Sequence, residues 1–451
     1  MRKHNGRGRL LPVIPALLAF AISACGAETE NVTPPAAADE SEADPSASAV
    51  SSSEPETEAG SGETEPDGEG AGAGDANGQM AAFPEPEGFE VTEEILSTAM
   101  VMKGNPYRLQ NVMKRALDGE PVTLAYLGGS ITKGAAATSE ESCYAALTTQ
   151  WWRETFPETE ITYINAGVGE TDSYVGVHRA ERDVLSDSPD VVVVEFSVND
   201  EKEINRESYE SLLRRILTEN EKTAVICLML GTKTHSFADE HFPIAYYYDL
   251  PIINVNGLMA NGLISWEQIG TEDGVHPSDE GHALFAGLLT EYCAEVLASV
   301  EEGERADPYT IPEVGQSACS YTDSFLIFAD DTSGIEVSGL VPEEKEFSKL
   351  HGLGWTTQAG ETVRMETEAK TFGILYTQFA EEPEGGSASY EIYVDGEYTD
   401  TIFGCDEEEN DERMIYTECL KEDTASHHVI ELRPVSGTGT FFEIRALAVG
   451  E

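Results

Sequence analysis

Positive charge is scarce in this chain. Lys and Arg together number 27 against 84 Asp and Glu, which gives a formal net charge of −57 at pH 7. A protein of this charge repels polyanions, so the composition argues against nucleic acid or an anionic lipid surface as a partner. The acidic residues are spread along the whole chain, which indicates solubility rather than one acidic binding site.

Cysteine is also sparse, and neither the cysteines nor the histidines have the spacing of metal ligands. The seven cysteines are Cys25, Cys143, Cys227, Cys293, Cys319, Cys405 and Cys419. Cys143, Cys227 and Cys293 fall in helix or strand patterns, which is typical of buried apolar residues. Cys405 and Cys419 are candidates for a disulfide, the alternative being two thiols. The acidic run Asp406–Glu409 is interpreted as a solvated loop, with calcium binding as the alternative. We predict no metal and no cofactor.

The N-terminal apolar run is too short to span a bilayer. A basic start is followed by Leu10–Ala21, which Pro12 and Pro15 interrupt, and then by the small residues directly before Cys25. This order of segments is typical of an export signal. A cysteine at this point resembles a bacterial lipoprotein box, in which Cys25 becomes the lipidated first residue; a plain secretory signal is the alternative. We therefore expect an extracytoplasmic protein, anchored by lipid to the bacterial cell membrane.

Residues 27–80 contain no Lys, Arg or aromatic residue. A segment of this kind buries too little apolar area to offset its ordering entropy, and its like charges repel one another. We predict a signal peptide over residues 1–25 and a disordered acidic linker over residues 26–82. This linker is either a tether that holds the folded part away from the membrane or a low-complexity tail with no function of its own.

Short apolar runs alternate with helical patterns over residues 83–302. The predicted strands are Pro121–Leu127, Ile161–Ala166, Val191–Phe196, Ala224–Leu230 and Ile252–Val255. The predicted helices are Tyr107–Leu117, Tyr144–Phe156, Tyr174–Leu185, Tyr209–Thr218 and Asp279–Ser299. Thr138 and Glu141 have the spacing of a capping box before the second of these helices. Continuous apolar runs indicate strands covered on both faces, so the pattern predicts a three-layer α/β/α domain with a parallel sheet.

The pattern changes to a period of two over residues 303–451. The candidate strands are Ser324–Phe328, Thr371–Phe379, Ser389–Val394, His428–Leu432 and Phe441–Val449. Asp395-Gly396 between two such stretches is a strong signal for a β-hairpin. We predict an antiparallel β-sandwich domain, similar to a jelly roll.

Three short fragments of the α/β part contain the residue types of a serine hydrolase. They are Gly128-Gly129-Ser130-Ile131-Thr132, Ser197-Val198-Asn199-Asp200 and Asp273-Gly274-Val275-His276-Pro277. The first two follow predicted strands, and the carboxyl ends of parallel strands meet at one edge of a sheet. A spacing of three residues lets one turn hold a carboxylate against an imidazole, which is the arrangement that activates a serine. Each fragment alone fits a structural turn; together they predict a nucleophile, a base, an orienting acid and an oxyanion donor.

The same fragments resemble blocks of the SGNH/GDSL hydrolase superfamily over residues 95–300. Gly128–Ile131 matches the first block with Gly129 in place of the usual Asp, and the other two fragments match the third and fifth blocks. The resemblance implies a flavodoxin-like serine esterase without a metal. It also implies these roles: Ser130 as nucleophile, His276 as general base and acid, Asp273 as orienting carboxylate, and Asn199 with the backbone of Ser130 and of Gly169 or Glu170 as the oxyanion hole. The second block departs from the pattern, because Glu170 stands where many members have the oxyanion-hole glycine.

These observations predict a surface-anchored esterase that removes small acyl groups, with acetyl as the expected group, from polysaccharide or peptidoglycan. One alternative is a carbohydrate-binding surface protein with a degenerate hydrolase domain. A second alternative is a lipid-ester hydrolase that acts at the membrane. Oligomeric state has no signal in the sequence.

Overall fold

The computed structural model describes residues 91–347, 350–357, 360–406 and 412–451. The predictions for the signal peptide, for Cys25 and for the linker over residues 26–82 concern residues outside this part, as does the cluster Glu407–Glu409.

A six-stranded sheet forms the centre of the N-terminal part. Its strands are β1 Met100–Met102, β2 Val122–Gly128, β3 Ile161–Gly167, β4 Val191–Glu195, β5 Ala224–Met229 and β6 Ile252–Asn254. Their order across the sheet is β1-β6-β5-β4-β2-β3, and all neighbours are parallel except β1, which pairs antiparallel with β6. The five parallel strands follow the flavodoxin-like order 2-1-3-4-5, so the predicted fold class is confirmed.

Helices cover both faces of this sheet. They are α1 Glu93–Ala99, α2 Tyr107–Leu117, α3 Ser130–Lys133, α4 Tyr144–Thr155, α5 Ser173–Asp183, α6 Glu203–Glu219, α7 Ala238–Tyr247, α8 Asn256–Ala260, α9 Trp266–Ile269 and α10 Asp279–Glu301. Alternate residues of β4 point to opposite sides: Val191 and Val193 pack in the core formed with α2, α4 and α10, whereas Val192 and Val194 pack with α5, α6 and α7. This two-sided burial is why the strands appear in the sequence as continuous apolar runs.

One helix of the described residues, α10, is long and apolar enough to cross a membrane. Ten of its residues are buried inside the α/β core, among them Leu284, Leu288 and Leu289. Length and composition of this kind are shared by the core helices of globular domains, and we describe α10 as a core helix.

The C-terminal part is a nine-stranded antiparallel sheet. Its strands are β7 Ser324–Ile327, β8 Ile335–Ser338, β9 Leu340–Phe347, β10 Gly352–Thr357, β11 Val363–Gln378, β12 Ser389–Val394, β13 Glu397–Phe403, β14 Arg413–Pro434 and β15 Glu443–Gly450. Asp395 and Gly396 have φ angles of 51° and 86°, as a type I′ turn requires, so the predicted hairpin between β12 and β13 is confirmed.

The long strand β11 belongs to two layers. Its first half pairs with β8 and its second half with β15, while β14 accompanies both halves. Burial alternates over residues 363–370, but every residue of 371–378 is buried. In that second half Ile374 packs in the core of the β domain, whereas Leu375 packs in the same cluster as Tyr174 and Val175 of α5. The β domain and the α/β domain therefore share an apolar core.

The structure tests the predictions made for the cysteines. Cys143, Cys227 and Cys293 are buried, as the sequence predicts. Cys419 is a free thiol whose Sγ donates to the backbone oxygen of Phe372 at 3.5 Å, so the candidate disulfide between Cys405 and Cys419 is not formed.

Candidate active site

Ser130 lies at the carboxyl edge of the parallel sheet, where β2 gives way to α3. Two glycines precede it because the turn has no room for side chains. A Cβ atom on Gly128 would lie 2.2 Å from Thr132 Oγ1, and one on Gly129 would lie 2.3 Å from Asn199 Oδ1. The close approach of Asn199 to Gly129 brings the third block of the sequence directly beside the first.

His276 and Asp273 reach Ser130 from the loop before α10. His276 Nε2 lies 2.9 Å from Ser130 Oγ, and His276 Nδ1 lies 2.7 Å from Asp273 Oδ2. Gly274 has a φ of 75°, in the left-handed region that favours glycine, and this bend turns both side chains to the same side. A hydroxyl, an imidazole and a carboxylate in this order are the arrangement in which histidine takes the serine proton.

Asp273 is held in its ionised form by hydrogen bonds. Partial burial opposes ionisation, but the amides of His276 and Val275, the His276 ring and the Thr271 hydroxyl all donate to the carboxylate. Their sum lowers the pKa of Asp273 well below its usual range. The carboxylate therefore stays charged and accepts a hydrogen bond from the protonated Nδ1 of His276, which leaves Nε2 to face the serine.

The residues of the predicted oxyanion hole lie beside the serine turn. A Cβ on Gly169 would lie 3.8 Å from Ser130 Cβ, so the backbone at Gly169 is adjacent to the serine. Glu170 follows with a φ of 63°, a left-handed conformation that non-glycine residues rarely adopt. The backbone of Glu170 thus has a conformation that favours glycine, the residue that the family pattern has at this position. The structure brings together Ser130, His276, Asp273, Asn199 and the Gly169–Glu170 segment.

Sequence reasoning missed Arg179 of α5, which joins the ends of two strands. Its Nη1 donates to Ala166 O at 2.8 Å and its Nη2 to Gly128 O at 2.9 Å, while Asp183 forms an ion pair with it at 3.0 Å. The side chain is fully buried, and burial lowers the pKa of the guanidinium. The signal available in the sequence is an arginine four residues after Val175, on the apolar face of the helix.

Sequence reasoning also missed Glu195, the last residue of β4. Its carboxyl is fully buried beneath the serine turn and accepts a hydrogen bond from Thr132 Oγ1 at 3.2 Å. Thr132 Oγ1 in turn lies 2.8 Å from the Tyr144 hydroxyl. Burial raises the pKa of Glu195 to about 7 despite the Thr132 hydrogen bond. An acidic residue that ends the run Val191–Val194 is the only hint of this group in the sequence.

Asp200 supports the turn that holds Asn199. Its Oδ1 accepts from the Ser173 amide at 2.7 Å, and its Oδ2 lies 2.8 Å from His241 Nε2. Burial lowers the pKa of His241 to about 3, so the imidazole is neutral. His235, in the turn after β5, is exposed, and its Nε2 lies 3.1 Å from Asp200 O.

A second Ser–His–Asp arrangement lies in the β domain. His428 Nε2 is 2.8 Å from Ser426 Oγ, and His428 Nδ1 is 2.8 Å from Asp395 Oδ2. Ser426 and His428 are two residues apart on β14, and Asp395 also accepts from the Val429 amide at 2.9 Å. These bonds attach the hairpin of β12 and β13 to β14, and we interpret the group as a fastening of that hairpin.

Comparisons with known proteins agree with this geometry. A family model, the GDSL-like lipase/acylhydrolase family, matches residues 126–284, a range that contains Ser130, Asn199 and His276. The chain is similar to two crystal structures of a two-domain esterase (CEX) active on acetylated mannans. Sequence identity is 29% to the crystal structure with mannopentaose and 30% to the other structure. Each match covers 79% of this chain and 98% of the esterase chain, with a TM-score of 0.69.

An acetylxylan esterase from Geobacillus stearothermophilus, Axe2, matches at 20% identity and a TM-score of 0.33, covering 38% of this chain and 94% of that chain. Comparison with curated proteins gives no match.

Proposed function

The chain belongs to the GDSL-like lipase/acylhydrolase family and is an ester hydrolase, and from this premise we propose that it removes acetyl groups from carbohydrate. The observation that carries the catalytic part of this proposal is the 2.9 Å contact between Ser130 Oγ and His276 Nε2, continued by the 2.7 Å contact to Asp273. The match to a two-domain esterase active on acetylated mannans supports an acetylated polysaccharide as the substrate.

In the acylation half of the reaction, Ser130 Oγ attacks the acetyl carbonyl while His276 Nε2 takes its proton. Negative charge then develops on the carbonyl oxygen, where amide donors from Asn199 and from the Gly169–Glu170 backbone stabilise it. The ionised Asp273 stabilises the imidazolium that forms. Collapse of the tetrahedral intermediate breaks the bond to the sugar oxygen, which receives the proton from His276 and leaves as a hydroxyl.

In the deacylation half, water takes the place of the sugar. His276 Nε2 removes a proton from this water as it attacks the acetyl group on Ser130, and the same donors hold the second oxyanion. The intermediate releases acetate and returns the proton to Ser130 Oγ. These two half-reactions need no redox partner, and together they regenerate the free enzyme.

The location of the enzyme is a separate part of the proposal. The basic, apolar and small-residue segments before Cys25 support export and lipidation, which would place the enzyme on the outer face of the bacterial membrane. Expression of the full chain in a bacterial host tests this directly. Wild-type protein should fractionate with membranes and Cys25→Ser protein should not; equal recovery of both in the soluble fraction would contradict the anchor.

Activity measurements on Ser130→Ala test the catalytic proposal. Wild-type protein should hydrolyse p-nitrophenyl acetate, and Ser130→Ala should lower kcat by about 10⁴-fold or more, because the acyl-enzyme cannot form. Ser426→Ala is the matched control, since it removes the serine of the second Ser–His–Asp arrangement, and it should leave the rate unchanged. Activity that survives Ser130→Ala and disappears with Ser426→Ala would move the nucleophile to the β domain.

A substrate panel tests the choice of ester. Acetylated mannan should release acetate faster than acetylated xylan, pectin or peptidoglycan, and p-nitrophenyl esters should lose rate as the acyl chain grows from acetyl to octanoyl. A rise in rate toward octanoyl would favour the lipid-ester hydrolase. Binding of glycan without release of acetate would favour the carbohydrate-binding protein.

A further inference from the structure

The β domain reaches into the active-site region through Tyr416 of β14. The Tyr416 hydroxyl donates to Asp172 Oδ2 at 2.7 Å, and the two residues are 244 positions apart in the chain. The Tyr416 ring stacks on the ring of Tyr174, with centroids 4.3 Å apart and planes 15° apart. Lys202 Nζ lies 4.2 Å from the centroid of the Tyr416 ring. This residue of the β domain is therefore fixed by the first turns of α5 and α6.

Asp172 connects this contact to the oxyanion side of the site. Its Oδ1 accepts from the Val175 amide at 3.1 Å and so caps the N-terminus of α5. Asp172 is 8% exposed and directly follows Thr171, whose Oγ1 donates to Val168 O at 2.7 Å. Gly169–Glu170 lies between Val168 and this Thr171–Asp172 pair, and Gly169 is adjacent to Ser130. A shift of the Asp172 carboxylate would thus move the end of the segment whose backbone amides are the predicted oxyanion donors.

Asp172 Oδ2 has one partner from each domain. Asn205 Nδ2 donates to it at 2.9 Å from α6, and Tyr416 donates to it at 2.7 Å from β14. Burial, and next the neighbouring Asp172 carboxylate, raise the pKa of the Tyr416 hydroxyl above its usual range. The hydroxyl therefore stays protonated and remains a donor to Asp172.

The left-handed conformation at Glu170 explains why the segment needs the restraint that Asp172 and Tyr416 supply. A non-glycine residue disfavours a φ of 63°, so Glu170 must be held in this conformation by its surroundings. Contacts on both sides of the segment must supply that restraint. Val168 and Ser130 lie on one side, and the Asp172 group with Tyr416 lies on the other.

We propose that Tyr416 is a positioning residue for ester hydrolysis, which acts through Asp172 to hold the Gly169–Glu170 amides in line with the oxyanion. The inference rests on the proposed function, because it assigns a role within the same reaction. It makes the β domain part of the catalytic apparatus, independently of any binding of glycan by that domain.

Tyr416→Phe in the full chain tests the proposal, because phenylalanine keeps the ring that stacks on Tyr174 and removes only the donor. A loosened oxyanion segment weakens stabilisation of the transition state more than binding of the ground state. We expect kcat for p-nitrophenyl acetate to fall by about 10- to 100-fold, with KM unchanged within about twofold. The rate of Ser130 phosphonylation by a fluorophosphonate, which also forms an oxyanion, should fall in parallel.

Tyr321→Phe is the matched control. Tyr321 is likewise a tyrosine of the interface and is itself buried; its ring lies 5.4 Å from Tyr174, and its hydroxyl donates to Glu418 rather than to Asp172. This variant should lose a similar amount of thermal stability and keep kcat. In an Asp172→Ala background, Tyr416→Phe should have no further effect on kcat, because the route of its action is already absent.

Three results would overturn the inference. Tyr416→Phe with wild-type kcat would make the contact a packing interaction, and a raised KM at constant kcat would make Tyr416 a substrate contact. An undiminished effect of Tyr416→Phe on kcat in the Asp172→Ala background would show that Tyr416 does not act through Asp172. Failure of the proposed function has a different signature, since wild-type protein would then neither hydrolyse acetyl esters nor react with the fluorophosphonate at Ser130.

Discussion

At the scale of single residues, Glu170 is the departure from the family pattern that the structure explains. A backbone amide can donate to an oxyanion whichever side chain it carries, so the loss of a glycine need not remove the donor. What the substitution costs is conformational: the residue keeps a φ of 63° without the freedom that glycine has there. The expected penalty is therefore in stability rather than in the chemical step.

Glu170→Gly compared with Glu170→Ala isolates this penalty. Both variants remove the side chain, but only glycine relieves the left-handed backbone, so Glu170→Gly should be more stable than Glu170→Ala by about 1 kcal/mol. Urea denaturation measures the difference, and kcat of the two variants should agree within about threefold. Equal stabilities would mean that the left-handed conformation carries no strain.

The residues that sequence reasoning found and those it missed differ in how far their partners lie along the chain. Asp273 and His276 share one turn, and Ser130 and Asn199 each sit in a short motif, so their chemistry is visible locally. Glu195 meets Thr132 across 63 positions and Tyr416 meets Asp172 across 244. No periodicity links such pairs, because only the completed sheet and the packed second domain bring them together.

At the scale of elements, the five parallel strands were predictable to within one residue at each end. Their apolar runs stop where the sheet edge begins, since the chain there leaves the core. The three-residue strand β1 is too short to give a pattern, and α7 contains Pro243, which is rare inside helices. Both were missed for these local reasons.

The predicted capping box before the second helix was wrong. Thr138 does not cap a helix; its amide and its hydroxyl both donate to Asp279 at the start of α10, at 2.9 and 2.6 Å. Helix α4 begins later, after Cys143, whose Sγ accepts from the Ala146 amide at 3.5 Å. A tertiary contact across 141 positions thus replaced the local hydrogen bond that the spacing suggested.

The end of β4 places a titratable group beneath the serine turn, and this makes stability depend on pH. The folded pKa of Glu195, about 7, lies above its ordinary value of 4.5, so the folded state binds more protons than the unfolded state between these values. The contribution is fully present below pH 4.5 and is lost as the pH rises through 7. Glu195→Gln keeps the shape of the side chain and cannot ionise.

We therefore expect the stability of wild-type protein to fall, relative to Glu195→Gln, by up to about 3 kcal/mol between pH 4.5 and pH 8. Urea denaturation at several pH values measures this difference. Glu201→Gln, at an exposed position in the following turn, controls for the loss of one acidic residue. Parallel curves for wild type and Glu195→Gln would show that the carboxyl titrates alike in both states.

At the scale of the whole molecule, the two domains share a core through the second half of β11. A period of two in the sequence predicted the β domain, but it could not show that Leu375 faces α5, since the partner surface lies in the other domain. Met414, Ala446 and Ala448 join Leu375 in that shared cluster. Because the apolar core is continuous across the two domains, we expect the domains to unfold cooperatively.

We expect hydrogen exchange in urea to report one opening free energy for β4 of the α/β domain and β12 of the β domain. Leu375→Ala should lower that free energy by about 2–4 kcal/mol in both strands at once, because it opens a cavity in the shared core. Ile374→Ala, whose side chain lies inside the β domain, is the comparison for a mutation of one core only. Two separate opening energies in wild type would mean that the domains unfold independently.

Two-sided burial of one strand also limits how such an enzyme can evolve. An accessory module joined by a simple tether can be exchanged between genes, but here a transplanted β domain would carry an apolar face shaped for one particular helix. A hybrid assembled from two relatives would present Leu375 to water or to a mismatched surface. Recombination should therefore succeed only where both halves are inherited as a single cassette, and the accessory domain should follow the lineage of its hydrolase.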